Sequence, residues 1–443
     1  MRPQNRRRRI GVAGLPVFWL NARKKGGRSM GIRTGFGVWL LCAGAAWAQQ
    51  APLSEAETNA LAEIRAQQTD GLIAVQPWVQ LLGGNRLGVG WLTSGAADGV
   101  VEWTQTFEAG KDGPWREASF AEDGLRQANG TAQRAVIEGY DPAKPIRLRA
   151  RSRPITAFKP YKVAFGPPET SRERFLPALS RPRGAVSFIV FNDIHNREHL
   201  FPLLTAQAGT PLDFAVFNGD VLQDPQSEQE LADHLLAPMA WFTARSVPCF
   251  FLRGNHETRG AFARPMKDYL TLPENRYYAA MTFGAARVLL LDSGEDKPDT
   301  SNEYSGLVAF DPYIEQELAW LKREIESEAF RKAAWRVVVM HIPPDWSVDE
   351  AELWHGQRRA RERFAPLFDR GKVTAVVCGH THRAALVEPC PEPSRGFRWP
   401  IFVGGAHPLK NATVIRVDAD ERALRIRRIH ADGSVGAERS WSR

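Results

Sequence analysis

Cysteine is scarce in this chain, with four among 443 residues. Cys42 falls in an N-terminal stretch that reads as a leader, which leaves Cys249, Cys378 and Cys390. Three is an odd number, two of them sit inside apolar runs, and no CxxC pair occurs. A disulfide scaffold and a thiolate metal site are excluded, and buried free thiols are expected. Internal repeats and low-complexity tracts are also missing, and the apolar run of the leader is too short to span a bilayer as a helix. Acidic residues are absent from residues 1–48, which hold ten Lys or Arg. Beyond them stand 48 basic against 50 acidic residues, so the net charge of +8 belongs to the leader. Charge-driven nucleic-acid binding loses its support with it.

The leader has the three parts of a secretory signal. Basic residues up to Arg33 precede the apolar "FGVWLLCAGA", and Ala46–Ala48 offer a small-x-small cleavage site with Gln49 as the mature start. Met30 would begin a signal of ordinary length, as an alternative start to Met1. Arg6–Arg9 lack a twin-arginine consensus, and Cys42 lacks an acylation box. The expectation is a periplasmic or secreted protein without a transmembrane segment after cleavage. The competing reading is an uncleaved amphipathic N-terminus.

With 43% hydrophobic and 24% charged residues, the rest is long enough for two globular domains. Residues 49–165 carry short runs of two-residue period. Leu87, Val89 and Trp91 share one face, and Ile146, Leu148 and Ala150 another with arginines between them. About seven such strands predict an immunoglobulin- or fibronectin-like β-sandwich. Residues 166–184 are a Pro-, Ser- and Arg-rich linker. In residues 185–443, continuous apolar strands alternate with helical stretches, the pattern of a layered α/β domain buried on both sheet faces. One helix is marked by Ile314, Leu318, Leu321 and Ile325, with Pro312 suited to its first turn. "ATVIRVD" and "ALRIRRIH" read as a closing hairpin.

The chemistry follows the strands. "FIVF" leads to Asp193 and His195, "FAVF" to Asp220, "CFFL" to Asn255 and His256, "VVVM" to His341, and "AVVC" to His380 and His382. Open α/β sheets place their sites at such carboxyl ends. Gly219, Gly254 and Gly379 would let the backbone turn sharply there. A set rich in imidazole and carboxylate, without thiolate, suits two divalent cations bridged by one carboxylate rather than a closed structural zinc site.

The ordered motifs D-x-H, G-D, G-N-H-[ED], a strand-end His and G-H-x-H resemble the calcineurin-like metallophosphoesterases over roughly residues 185–410. The resemblance implies a four-layer α/β/β/α domain and two divalent metal ions, Mn, Fe or Zn. It implies Asp193, His195 and His382 as ligands of the first metal, with Asn255, His341 and His380 on the second and Asp220 bridging. It assigns His256 to protonating the leaving alkoxide or stabilising the transition state, and a metal-bridging hydroxide to the attack. Preceded by a sandwich, the arrangement is similar to that of purple acid phosphatases, with two departures. Gln223 stands where those enzymes supply a tyrosine ligand, and His195 is a histidine they lack, so a colourless enzyme is expected. Phosphoprotein phosphatases put an Asp at the place of Gln223 to orient the GNH histidine; here Asp224 comes one residue later.

Arg197 and Arg253 flank the ligand positions, either to contact phosphate or to form ion pairs. Tyr277, Tyr278 and Tyr304 are candidates for a pocket wall or for the core. The implied function is an exported phosphomonoesterase acting on a small phosphate ester. A phosphodiesterase acting on nucleotides or lipid head groups stays open, as does a surface binding protein with a vestigial metal site.

Overall fold

The computed structural model describes residues 52–108, 111–345, 353–390, 396–405 and 408–443. The leader with its cleavage site and Cys42, together with Trp346 and His407, lies outside the described residues.

After helix α1 (Glu55–Arg65), capped by a reciprocal Ser54–Glu57 box, come β1 (Ile73–Leu81), β2 (Arg86–Thr104), β3 (Ala128–Glu138) and β4 (Ile146–Lys159). The sequence suggests two strands, "LGVGWLT" and "VVEWT", where β2 runs unbroken. The glycine-bearing joint between them is absorbed by a register shift against β3 between Leu92 and Ala97, so turn-like composition yields a bulge. Along β4 the expected alternation holds. Ile146, Leu148 and Ala150 are buried, while Arg149 and Arg151 on the opposite face each reach the Glu102 carboxylate at 2.7 Å.

The central strands β5 (Val186–Phe191), β6 (Phe214–Asn218) and β7 (Cys249–Leu252) are parallel neighbours. A second sheet holds β8 (Ala279–Phe283), β9 (Ala286–Leu291), β10 (Trp335–Met340), β11 (Ala375–Cys378), β12 (Ala385–Val387) and β13 (Ile401–Val403), in the order β8-β9-β10-β11-β13-β12. The chain closes with β14 (Thr413–Ala419), β15 (Ala423–His430) and β16 (Val435–Ser442). β14 and β15 are the expected hairpin, and β16 adds a third strand whose residues are all exposed or half-buried. The first sheet runs β4-β2-β1-β7-β6-β5-β14-β15-β16. β1 pairs in parallel with β7 through Gln80 and Cys249, so the N-terminal strands extend the sheet that carries β5, β6 and β7. The N-terminal region is strand-rich, with its strands continuous with those of the following region.

Phenylalanines show how the layers stack. Residues three apart on a strand face opposite ways. Phe188 and Phe214 stack at 4.6 Å, and Phe214 and Phe250 both meet Phe283 of the second sheet, at 4.3 and 5.9 Å. On the other face, Phe191 and Phe217 pack against Phe201 of α2 (Leu200–Ala208) and Phe242 of α3 (Ala237–Ala244). The outer face of the second sheet is covered by α4 (Phe310–Glu324) and α5 (Ala365–Arg370). Ile314, Leu318, Leu321 and Ile325 are buried there against Leu289, Val338 and Val376. Two sheets face each other with helices outside both. No helix among the described residues is long and apolar enough to cross a membrane. Cys249 and Cys378 are buried free thiols, and Cys390 is a half-buried one.

Because Phe214 is fully buried between the sheets, Phe214→Ala is expected to destabilise the fold by about 3–5 kcal/mol in chemical denaturation. A loss below about 1 kcal/mol would show that the inter-sheet layer is not tightly packed there.

Candidate metal centre

Five parallel strands end at one place. β5, β6 and β7 of the first sheet deliver Asp193 and His195, Asp220, and Asn255 and His256; β10 and β11 of the second deliver His341, His380 and His382. Asn218 ties the two sheets together at this edge. Its amide donates to Asn192 Oδ1 at 2.7 Å and to the Met340 carbonyl at 3.0 Å, while its carbonyl accepts from His341 Nδ1 at 2.9 Å. The first two loops are zipped by backbone bonds, His195 to Asp220 and Asn196 to Val221.

The turns are built differently from the sequence expectation. Gly219 has a left-handed φ of +78°, but the ligand-type residues Asp193, His195, Asp220, His380 and His382 are themselves left-handed, at +48° to +72°. Such conformations cost about 1–3 kcal/mol each and persist where the surroundings over-determine them. Gly254 and Gly379 serve close approach instead. A Cβ on Gly254 would stand 2.3 Å from Asp220 Oδ1, and one on Gly379 2.6 Å from Asp193 Oδ2.

Two groups of donors result. Asp193, His195, Asp220 and His382 offer atoms all within 4.8 Å of one another, as do Asp220, His341 and His380, with Asp220 in both. His195 Nε2 and His382 Nε2 face each other at 3.0 Å. Asp220 Oδ2 lies 3.1 Å from His341 Nε2 and 3.8 Å from His195 Nε2. Asn255 Oδ1 and both ring nitrogens of His380 are buried without a hydrogen bond, an expensive state for polar atoms that no cation holds. His382, with 40% of its side chain exposed, opens the cluster to solvent.

Electrostatics agree with a cation site. Burial pushes the Asp193 carboxyl up to about 7, with Asp220 adding to it and His341 opposing. For Asp220 burial also pushes upward, but His341, His195 and His256 outweigh it and hold the carboxyl well below its usual range. Burial drives His380 down to about 3, so its imidazole stays neutral and able to ligate. The donor set therefore fits hard to borderline divalent cations.

His256 is placed beside the cluster, its ring centroid 4.9 Å from that of His195 and its Nε2 4.0 Å from Asp220 Oδ2. Its Nδ1 lies 3.0 Å from Asp224 Oδ1, so the one-residue offset of that acid does not prevent the pair. Burial pulls His256 down, yet the Asp224 hydrogen bond and the charges of Asp220 and Asp224 win and raise it, favouring the imidazolium. Glu257, the last residue of the "GNHE" stretch and not singled out for a role by sequence reasoning, braces the site from beneath. Its carboxylate accepts from the backbone N–H groups of Asp220 (2.8 Å), Leu222 (2.9 Å) and Gly254 (2.7 Å).

Arg197 and Arg253 part company. Arg197 is half-buried at the rim, its Nη1 3.4 Å from the His195 carbonyl. Arg253 pairs with Asp292 at 2.6 Å and lies under Tyr277, Phe310 and Tyr313. Tyr278 packs on Trp320, and the Tyr304 hydroxyl donates to Glu295 at 2.7 Å. Trp354 meets the His380 ring edge-to-face at 4.9 Å and is 44% exposed.

Residues 186–384 match the family model described as calcineurin-like phosphoesterase. Among solved structures, purple acid phosphatase PPD1 from yellow lupin (Lupinus luteus) seeds aligns with a TM-score of 0.60 at 15% identity, covering 83% of this chain and 74% of that one. Vacuolar protein sorting 29 from Cryptosporidium parvum aligns at 0.27 and 11% identity, covering 58% and 99%. A serine/threonine phosphatase from Saccharomyces cerevisiae aligns at 0.27 and 14%, covering 52% and 72%. Of these three, the lupin structure bears on the fold. No curated protein sequence matches the chain. The family match and the donor cluster support a metal-dependent phosphoric ester hydrolase with a site for two divalent cations.

In Glu257→Gln one end of the side chain can no longer accept, stranding a buried amide N–H at a cost of about 1–3 kcal/mol for each bond lost. Denaturant unfolding should show that loss, and cation binding should weaken as the Asp220 and Gly254 loops drift apart. Unchanged stability together with unchanged binding would mean that Glu257 does not brace the site.

Proposed function

We propose that this chain, whose residues 186–384 are a calcineurin-like phosphoesterase domain, is an exported two-cation phosphomonoesterase. The observation that carries the reading is the membership of Asp220 in both donor groups, the arrangement a bridging carboxylate requires. Asp193, His195 and His382 hold one cation, and Asn255, His341 and His380 the other. When bound, the pair of cations supplies Lewis acidity, neutralising phosphoryl oxygens and lowering the pKa of the attacking water.

The remaining work belongs to side chains. The His256 imidazolium, held at Nδ1 by Asp224, presents the Nε2 proton on the cluster side, where it can pass to the leaving alkoxide oxygen. Arg197 at the rim is placed to contact an equatorial phosphoryl oxygen, whereas Arg253, committed to Asp292, is better read as support for the loop that follows it. Gln223 in place of a tyrosine ligand makes a colourless enzyme with Mn, Fe(II) or Zn the consistent choice. Export rests on the signal-like leader, and the preference for monoesters on the fold likeness to a purple acid phosphatase.

Asp220→Asn should abolish metal-dependent turnover of p-nitrophenyl phosphate while leaving the far-UV circular dichroism spectrum unchanged. Full activity in that variant would contradict the assignment. A panel of phosphate monoesters, bis-p-nitrophenyl phosphate and cyclic nucleotides decides the substrate class, with diester preference overturning the monoester reading.

His256→Ala should lower kcat by about 10²–10⁴-fold on alkyl phosphates, whose leaving oxygen needs a proton, and far less on p-nitrophenyl phosphate. Equal losses on both would argue against His256 as the proton donor.

A further inference from the structure

Gln223 lies at the exposed rim of the cluster, three residues after Asp220, and both ends of its amide are engaged. Its Oε1 is 2.6 Å from His195 Nδ1. Its Nε2 is 3.0 Å from His256 Nδ1 and 3.2 Å from Asp224 Oδ2. Its backbone N–H donates to Asn196 Oδ1 at 2.9 Å, in the loop that carries His195. One residue thus joins the Asp193–Asn196 loop to the pair formed by His256 and Asp224.

Chemistry decides which end of the amide is which. An ionised carboxylate only accepts, and His256 Nδ1 gives its proton to Asp224 Oδ1. The end facing Asp224 is therefore the NH₂ group, donating to Asp224 Oδ2 and resting beside His256 Nδ1 without bonding to it, and the other end is the carbonyl. A carbonyl cannot donate. His195 must therefore carry a proton on Nδ1, which leaves Nε2 as the nitrogen able to take a cation. Nε2 is the nitrogen that faces the cluster, 3.0 Å from His382 Nε2 and 3.8 Å from Asp220 Oδ2. A flipped amide would set its oxygen against the Asp224 carboxylate and leave the His195 proton on the cluster side. His341 is oriented the same way by another route, with Nδ1 on the Asn218 backbone carbonyl and Nε2 toward Asp220.

We infer that Gln223 is a positioning residue that locks His195 in its Nδ1–H tautomer, and so readies Nε2 to hold a cation, while tethering the His256–Asp224 pair to the same loop. The inference rests on the two-cation reading above. Partners of this kind are worth about 10–100-fold in metal affinity. Because Gln223 is exposed, water can replace part of its role, which places the expected effect near the lower figure, about tenfold. Exposure also means that its replacement does not threaten folding.

The test titrates Zn²⁺ into metal-free wild-type protein, Gln223→Leu and Gln223→Glu by calorimetry, and follows the exchangeable ligand N–H resonances of the cobalt-loaded proteins. Gln223→Leu should weaken one of the two cations about tenfold, leave the other unchanged, and broaden one ligand N–H resonance through faster solvent exchange. Gln223→Glu keeps an acceptor for His195 Nδ1 and should retain both cations and the resonance. The inference is overturned if Gln223→Leu matches the wild type in both readouts, or if Gln223→Glu loses as much as Gln223→Leu. A wild-type protein that takes up no cation would sink the functional reading, and this inference with it.

Discussion

The shared carboxylate of Asp220 is the constraint around which the site is arranged. It is almost fully buried, its Oδ2 stands within 4.0 Å of three imidazoles, and its Oδ1 accepts the backbone N–H of His256. Burying a charge is costly unless it is paired and hydrogen-bonded. Here the pairing comes from ring nitrogens whose other nitrogens are fixed elsewhere, Nδ1 of His341 on Asn218 and Nδ1 of His195 on Gln223. Each of these two imidazoles is thereby turned with Nε2 toward the carboxylate, the nitrogen that would take a cation in place of its proton.

The fold supplies what that arrangement demands. Five parallel strand ends from two facing sheets meet at one edge, with Asn218 fastening the sheets and Glu257 fastening three amides of two loops. Left-handed backbone at Asp193, His195, Asp220, His380 and His382 is strain that the layered core beneath must offset. Phenylalanines on both faces of the first sheet give that core its rigidity. Stability and function are therefore coupled at this edge, where loop geometry depends on packing several residues away.

Much of this is legible in the sequence because the chemistry sits at fixed offsets from apolar strands. Asp193, His195, Asp220, Asn255, His341, His380 and His382 all follow strand ends, and the structure brings them to the same edge. The α4 face at Ile314, Leu318, Leu321 and Ile325 was equally plain from its spacing. Other features were hidden for physical reasons. The Ser94–Gly99 joint has turn composition, but pairing on both sides carries β2 through it as a bulge. The pairing of β1 with β7 is a contact between distant segments that local pattern cannot express. Gly254 and Gly379 looked like conformational hinges, while their need is for space beside carboxylates. The Asp224–His256 pair forms despite the one-residue offset, with Asp224 in a left-handed conformation.

Metal analysis of the purified chain tests the central claim most directly. The account predicts two divalent cations per chain, with phosphoester turnover lost on chelation and restored on adding metal back. Fewer than one cation per chain, with turnover undiminished in chelator, would contradict it.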